Sequence, residues 1–436
     1  MKIVHVVHQF SSTPGGGTER VVLALARAMR VAGHELVVVA GTIEGGRAGE
    51  LREARVDELR VIFLPREDLY FESWEKAWSP SVGERFARVL RDLRPDVVHV
   101  HHWLRLTTDL VRIARREGVP VLACTLHDYW TQLATPTRPV GMTRPEAPPR
   151  PRWLNRTELD EAFAAHRLDL LDELRAADLR FAPSIAHAEG LAAFAAGGLG
   201  LIEPSPPPLL EVPQRRAARA GPRGRTLVFF GTIYPEKGLE LALDALASIG
   251  GWRLLVFGEC HDPVLDQRLR TRAARFPVEF RGRFTHGDIA AAGADYALIP
   301  SLTHESYGLV IDEARCLGIP LIAADLPAYR EHADPEASAF FAAGDPGSLA
   351  MLLLDEARLA GLREPTPHAV STTAAAHALL ARYAAVRDAG PRARSAEPVF
   401  PDGARAALLF RRAERRLWSA LQNGGPVTPP DAFLAP

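Results

Sequence analysis

Two glutamates eight positions apart, Glu305 and Glu313, sit in the stretch IPSLTHESYGLVIDEARCLGIP at residues 299–320. A carboxylate can hold the hydroxyls of a polyol. Between the two acids, Ser306, Tyr307, Gly308 and Leu309 fall where a helix begins. Free backbone N–H groups and the positive dipole end there suit an anionic phosphate. Polyol, phosphate, polyol is the order of parts in a sugar nucleotide. Lys237, next to Gly238 at another helix start, offers an ammonium for the same phosphate; an ordinary surface lysine is the competing reading. His127 and Asp128 can hold hydroxyls or move protons, and the rings of Tyr129 and Trp130 either stack on sugar faces or pack as core. His99, His101 and His102 end another apolar run. On a strand the first two share one face while the third points away, and with no third ligand in reach no metal is expected.

These residues need elements to hold them. The run 296–299 reads as a strand ending at Pro300, and 309–317 has helical spacing stopped by Gly318 and Pro320. Glu305 is thus placed in a loop and Glu313 in the helix that follows. At the start of the chain, 2–7 is a buried-type strand, SSTPGGG a turn, 19–31 a helix and 35–40 a strand. Gly15, Gly16 and Gly17 leave the backbone open to a phosphate or sugar. Arg20 stands where a Gly-x-Gly-x-x-Gly fingerprint would have its last glycine, so a nicotinamide or flavin is not expected. Residues 44–84, with Tyr70, Phe71, Trp74 and Trp78, read as a helix–loop excursion over a cleft or as a packed aromatic patch. Strands are expected at 95–100 and 119–126, the latter running into His127–Trp130. The Pro- and Arg-rich segment 136–151 reads as a mobile loop on the acceptor side.

Prolines crowd 201–213, and 215–225 is polar, which makes 206–225 the hinge. Strand–helix alternation resumes at 226. The expected architecture is α/β: two doubly wound Rossmann-like domains, 1–205 and 226–390, facing across a cleft, then a tail, 391–436. One helix, 404–422, is expected in that tail. It reads as packing back on the first domain or, being basic and amphipathic, as lying on an anionic membrane.

The Glu305-to-Glu313 stretch closely resembles the Glu-(seven residues)-Glu motif of retaining glycosyltransferases of family 4, which have the GT-B fold. The resemblance also takes in Gly16, Gly17 and Glu19, Gly33–Glu35, the histidine-ended strand at 95–100, His127–Asp128, Lys237–Gly238 and a late Gly344–Asp345 turn. It implies that Glu305 and His127 contact the donor sugar, that Lys237 and the Gly308–Leu309 amides meet its diphosphate, and that Glu313 holds the ribose. It departs at Thr232, where the family has a diphosphate-binding arginine; Arg281 or Arg283 is the expected substitute. On this reading His127, Glu305 and Lys237 are catalytic. Gly16, Gly17, Thr232, Lys237, Arg283, Ser306, Tyr307, Gly308, Leu309 and Glu313 bind the donor, while His102, Asp128, Tyr129 and Trp130 face the acceptor.

The totals narrow the remaining choices. A net charge of −1 gives no field favouring nucleic acid, and three scattered cysteines form neither a disulfide framework nor a metal set. No apolar run is long enough to span a bilayer. The expected protein is a cytoplasmic enzyme, with peripheral membrane contact as a possibility. It would take a nucleotide sugar and a hydroxyl acceptor, with no cofactor and no metal, and its oligomeric state is left open. A sugar-nucleotide epimerase and a non-catalytic binding scaffold are the alternatives.

Overall fold

A computed structural model describes residues 1–11, 16–42, 50–66, 74, 77–146, 156–195, 198–217 and 221–390. Gly15, Tyr70, Phe71 and the expected tail helix 404–422 lie outside them. The first half contributes β1 (Lys2–Val7), β2 (Glu35–Ala40), β3 (Arg52–Val56), β4 (Leu59–Phe63), β5 (Val97–Val100), β6 (Val121–Thr125), β7 (Arg138–Pro139), β8 (Leu179–Ala182) and β9 (Glu203–Pro204). The second contributes β10 (Thr226–Phe230), β11 (Arg253–Phe257), β12 (Val278–Gly282), β13 (Tyr296–Ile299), β14 (Thr303–His304), β15 (Leu321–Ala324) and β16 (Ser338–Phe341).

Two large sheets result, ordered β3-β4-β2-β1-β5-β6-β8-β9 and β12-β11-β10-β13-β15-β16, with β14 and β7 forming a separate two-stranded ladder. Within each, six parallel strands follow the doubly wound order 3-2-1-4-5-6, which puts the switch point between β1 and β5 and between β10 and β13. Runs such as KIVHVV and ELVVVA are apolar along nearly their whole length because helices cover both faces of such sheets.

Two findings correct the sequence reading and one decides between its alternatives. The 44–84 segment contains the β3–β4 hairpin, with β4 parallel to β2, so it extends the first sheet rather than forming a helix–loop excursion. Trp74, 1% exposed, packs edge-on against Phe163 and beside His166, which favours the aromatic-patch alternative. The helix Thr372–Asp388 does not complete the second unit. Its Ala376, Leu379, Leu380 and Tyr383 are buried in the core of the first, beside β1 and the helix Gly17–Val31. The chain therefore crosses back before the tail at 391, earlier than the sequence reading placed it.

The first half buries several imidazoles. Burial pushes His5 down to about 4, and His166 and His127 to about 3. These rings stay neutral in the fold, whereas the unfolded chain takes up their protons below about pH 6.5. The stability they contribute is complete above pH 6.5 and is lost as pH falls toward 4. For His5 alone the loss at pH 5 is roughly 2 kcal/mol. The urea midpoint should therefore drop between pH 7 and pH 5; an unchanged midpoint would contradict the burial.

Candidate active site

The 3₁₀ turn Pro235–Lys237 follows β10 and ends at Gly238, whose φ is +73°. A methyl group on Gly238 would overlap the Pro300 carbonyl oxygen. Only glycine permits both the left-handed backbone and that approach. The close contact packs the Lys237 turn against the loop that carries Glu305. Lys237 Nζ lies 2.6 Å from Glu305 Oε1, and Ser301 Oγ donates to the same oxygen at 3.1 Å. Ser301 also meets the Tyr329 hydroxyl at 2.7 Å. Burial alone would lower the Lys237 ammonium, but Glu305 and the nearby tyrosines more than reverse this and hold it charged above its ordinary range. The Tyr234 ring lies 5.4 Å from Nζ.

Gly308, φ +92°, starts the helix Leu309–Leu317, and a side chain there would run into the Tyr329 ring. The first-half helix Gly17–Val31 opens opposite, where a methyl built on Gly17 would stand 3.6 Å from Leu309 Cδ1. The two N-termini thus converge, and both present free N–H groups and positive dipole ends. Gly16, its N-cap, has extended backbone and no capping side chain. Glu313, 4% exposed, is approached at Oε1 by Arg20 Nη1 at 3.4 Å and by His286 Nε2 at 3.3 Å. Neither is aligned as a hydrogen bond, so among the described residues this buried oxygen has no hydrogen-bond partner. Arg20 reaches it from the other half of the molecule.

Further polar contacts join the halves. Glu331 accepts from the Ile185 and Ala186 amides at 2.9 and 2.5 Å, capping the helix Ile185–Phe194 across the divide. Ser184 Oγ donates to the Ser306 carbonyl at 2.7 Å. Antiparallel β7 and β14 pair Arg138 with His304, immediately before Glu305. At β7 the Pro-rich segment is therefore tied to the site rather than a mobile loop. Arg138 stacks 4.6 Å over Phe194.

Several expected contacts are corrected. Tyr129 and Trp130 are 2% and 3% exposed; they pack on His187 and His166 and have no free face for a sugar. Asp128 is bonded to His102 Nε2 at 3.1 Å rather than left free for an acceptor. His102 itself is only 6% exposed. The Tyr307 side chain turns inward, its hydroxyl on Asp312 at 2.9 Å, so only its backbone remains at the turn. Arg283, 84% exposed, pairs with Glu259, and Arg281 pairs with Glu279. Thr232 is exposed and brings no charge. Besides Lys237, Arg20 brings a cation to the cleft, a residue noted in the sequence only as standing where a glycine would be.

His127 lines a small cleft with His101, Pro183 and the prolines 206–208, and it touches neither Lys237 nor Glu305 among the described residues. Its Nε2 lies 3.0 Å from His101 Nδ1, and His101 Nε2 lies 2.9 Å from His5 Nδ1. The parallel register of β1 and β5 puts His5 beside His99. A third imidazole is thus near after all, contrary to the sequence reading; it comes from the neighbouring strand. His99 is bonded at both nitrogens, to Thr125 at 2.7 Å and Tyr383 at 2.6 Å. On the first half, beyond the expected acceptor residues, a cavity of about 560 Å³ is lined by Gln9, Phe10, Ser11, Glu19, Thr42 and Arg52.

Two doubly wound units, joined by a proline-rich crossing and closed over converging helix N-termini, define a GT-B glycosyltransferase. Residues 15–196 match Glycosyltransferase Family 4, and residues 224–355 match Glycosyl transferases group 1. A phosphatidyl-myo-inositol mannosyltransferase of Mycobacterium leprae is 27% identical over 83% of this chain and 89% of its own. A GDP-mannose-dependent alpha-mannosyltransferase of Mycobacterium tuberculosis is 29% identical over 77% and 82%. Among solved structures, sucrose-phosphate synthase from Thermosynechococcus elongatus superposes with a TM-score of 0.59 at 18% identity, over 96% of this chain and all of the other. Anabaena HepE in complex with UDP and glucose gives 0.55 at 16%, over 89% and 98%. The chain belongs to the family 4 glycosyltransferases.

Replacing Gly238 with alanine should open the Lys237–Glu305 site. The left-handed backbone alone costs about 1–2 kcal/mol for a side chain, and the overlap with Pro300 adds to it. A lower urea midpoint is expected, and wild-type stability would show that the two loops are not packed as described.

Proposed function

We propose that the protein is a retaining glycosyltransferase that moves a sugar from a nucleoside diphosphate to a hydroxyl acceptor without a metal. The observation that carries this reading is the Lys237–Glu305 pair beside two converging helix N-termini. An ammonium and two sets of free amides offset the charge that grows on a departing diphosphate. The donor displaces Lys237 from Glu305; the lysine turns to phosphate and the carboxylate accepts from a sugar hydroxyl. Glu313 takes the ribose hydroxyls, and Arg20, released from it, supplies the cation that Thr232 lacks. His127, neutral because burial pushes it down to about 3, serves as an uncharged hydrogen-bonding ring toward the sugar. The acceptor enters by the cavity of Gln9, Ser11, Glu19 and Thr42, whose polar groups suit a polyol. Closure of the halves keeps water from the bond being broken. Residues 206–225 are the hinge of this reading. The family resemblance is what supports retention and metal independence. Relatives named as mannosyltransferases make GDP-mannose the first donor to try.

Calorimetric titration of GDP, UDP, ADP and dTDP should give heat with at least one. Lys237→Ala and Arg20→Ala should each weaken that nucleotide about tenfold or more, the loss of one charge-assisted hydrogen bond. Glu305→Ala should leave nucleotide affinity near wild type and lower turnover by roughly 10²–10³. Silence with all four nucleotides would refute the donor site. Turnover without any acceptor would point to an epimerase instead.

A further inference from the structure

Asp312 stands one position before Glu313 on the helix Leu309–Leu317 and is fully buried. Its Oδ1 lies 2.8 Å from His332 Nδ1 and 2.9 Å from His368 Nδ1. Two imidazole nitrogens thus converge on one carboxylate oxygen, and the three atoms lie within 4.8 Å of one another. The three side chains come from separate segments. One is that helix, the second is the last residue of the helix Pro327–His332, and the third is the loop leading into the helix Thr372–Asp388 that crosses back to the first half. His332 and His368 follow Asp312 by 20 and 56 positions, a spacing with no local signature. The strand histidines His5, His99 and His101 form a similar trio, but both nitrogens of His99 are taken by Thr125 and Tyr383.

Two imidazoles and a carboxylate are a donor set for zinc, whereas calcium and magnesium take oxygen ligands. With bonds of about 2.0–2.1 Å, tetrahedral zinc holds neighbouring ligand atoms about 3.3 Å apart, so the imidazoles need draw back from the carboxylate by only roughly half an ångström. The outer contacts are already in place. The other nitrogen of His332, Nε2, lies 3.0 Å from the Tyr307 carbonyl oxygen, and the other carboxylate oxygen of Asp312 accepts from the Tyr307 hydroxyl at 2.9 Å. Backbone carbonyls behind ligating imidazoles, and hydrogen bonds to ligating carboxylates, are what orient the ligands of metal sites. The His368 loop is laid along the helix by Cys316 Sγ, which donates to the His368 carbonyl at 3.2 Å, and by Arg315 Nε, which donates to the Thr366 carbonyl at 3.1 Å. The His368 side chain keeps 39% of its surface, which gives an ion a way in and leaves room for water as the fourth ligand.

We propose that Asp312 Oδ1, His332 Nδ1 and His368 Nδ1 bind a divalent ion of the zinc type. The ion is structural. It fastens the loop before the crossing helix to the helix that begins at the Gly308 turn and carries Glu313. It stands outside the proposed transfer, which remains metal-independent.

The test uses the full chain, stripped with a chelator and dialysed, and contains no nucleotide. Zinc chloride is titrated in against a chromophoric chelator. One ion should bind per chain, and the urea midpoint should rise as it does. His368→Ala should weaken binding about a hundredfold and abolish the rise in midpoint; Tyr307→Phe, which removes the bond to the second carboxylate oxygen, should weaken it about tenfold. His368 is the partly exposed ligand, so its variant reads the site even where Asp312→Asn or His332→Gln fails to fold. Cobalt in place of zinc should give the visible bands of a nitrogen- and oxygen-ligated ion. No zinc bound by the wild type, binding and midpoint response unchanged in His368→Ala, or a thiolate charge-transfer band from cobalt would each overturn the proposal.

Discussion

An ammonium drawn out of water must be matched by a nearby negative charge, and in this protein Glu305 matches Lys237 at 2.6 Å. Their side chains keep 23% and 19% of their surface, so the pair is neither fully screened nor sealed. A fully buried pair broken on one side costs about 3–5 kcal/mol; partial exposure makes this one cheaper to open, as a site that must exchange partners requires. The surrounding packing serves that pair. Gly238 lets the lysine turn close on Pro300, Ser301 ties Glu305 to Tyr329, and Tyr329 fills the space that only glycine leaves at 308. One buried tyrosine thus touches both the carboxylate loop and the phosphate turn.

The two halves meet mainly through polar groups near the site: Glu331 on a helix end, Ser184 on Ser306, the short β7–β14 ladder, and Arg20 on Glu313. Apolar contact across the divide comes from Leu309 and from the helix Thr372–Asp388, which is buried in the first half although it follows the second in sequence. The crossing helix anchors the units while the polar contacts can be exchanged for a ligand. Arg20 and Glu313 are the clearest case, since a carboxylate oxygen with no aligned hydrogen bond is costly to bury unless something comes to fill it.

Much of this was legible in the chain. Strands showed because parallel strands covered on both faces are apolar along most of their length, and the Glu305–Glu313 spacing set one acid in a loop and the other in a helix. Two motifs at the ends of β10 and β13 assigned Lys237 and Glu305 to one donor, while their direct contact shows only in the fold. Pairings across the sheet did not show. Nothing in the local sequence says that His5 lies beside His99, because register between β1 and β5 is a non-local choice. Side-chain direction was also hidden. Tyr129, Trp130 and Tyr307 have residue types that suit either a sugar or a core, and the β6 and β14 loops turn them inward. Arg20 shows in the sequence only as the residue in place of a glycine, and nothing local says that it reaches Glu313 on the other half. The β3–β4 hairpin was missed because β3 is an edge strand whose residues are mostly exposed, so it lacks the apolar run that marked the others.

The distribution of charge across the cleft matches the proposed transfer. When a bond to the anomeric carbon breaks, positive charge grows on the sugar and negative charge on the departing phosphate. In the proposed transfer the phosphate side is the one with the fixed positive groups: Lys237, Arg20 and two helix N-termini. The imidazole expected on the sugar side belongs to a chain, His127–His101–His5, whose rings are kept neutral by burial. A protonated ring there would repel the charge developing on the sugar, whereas a neutral one can hold a hydroxyl without that penalty. Desolvation by strand packing is therefore not incidental to the site. It removes the positive charge that histidines would otherwise acquire in mild acid, and in the proposed transfer it leaves a carboxylate, Glu305, as the charged group assigned to the sugar.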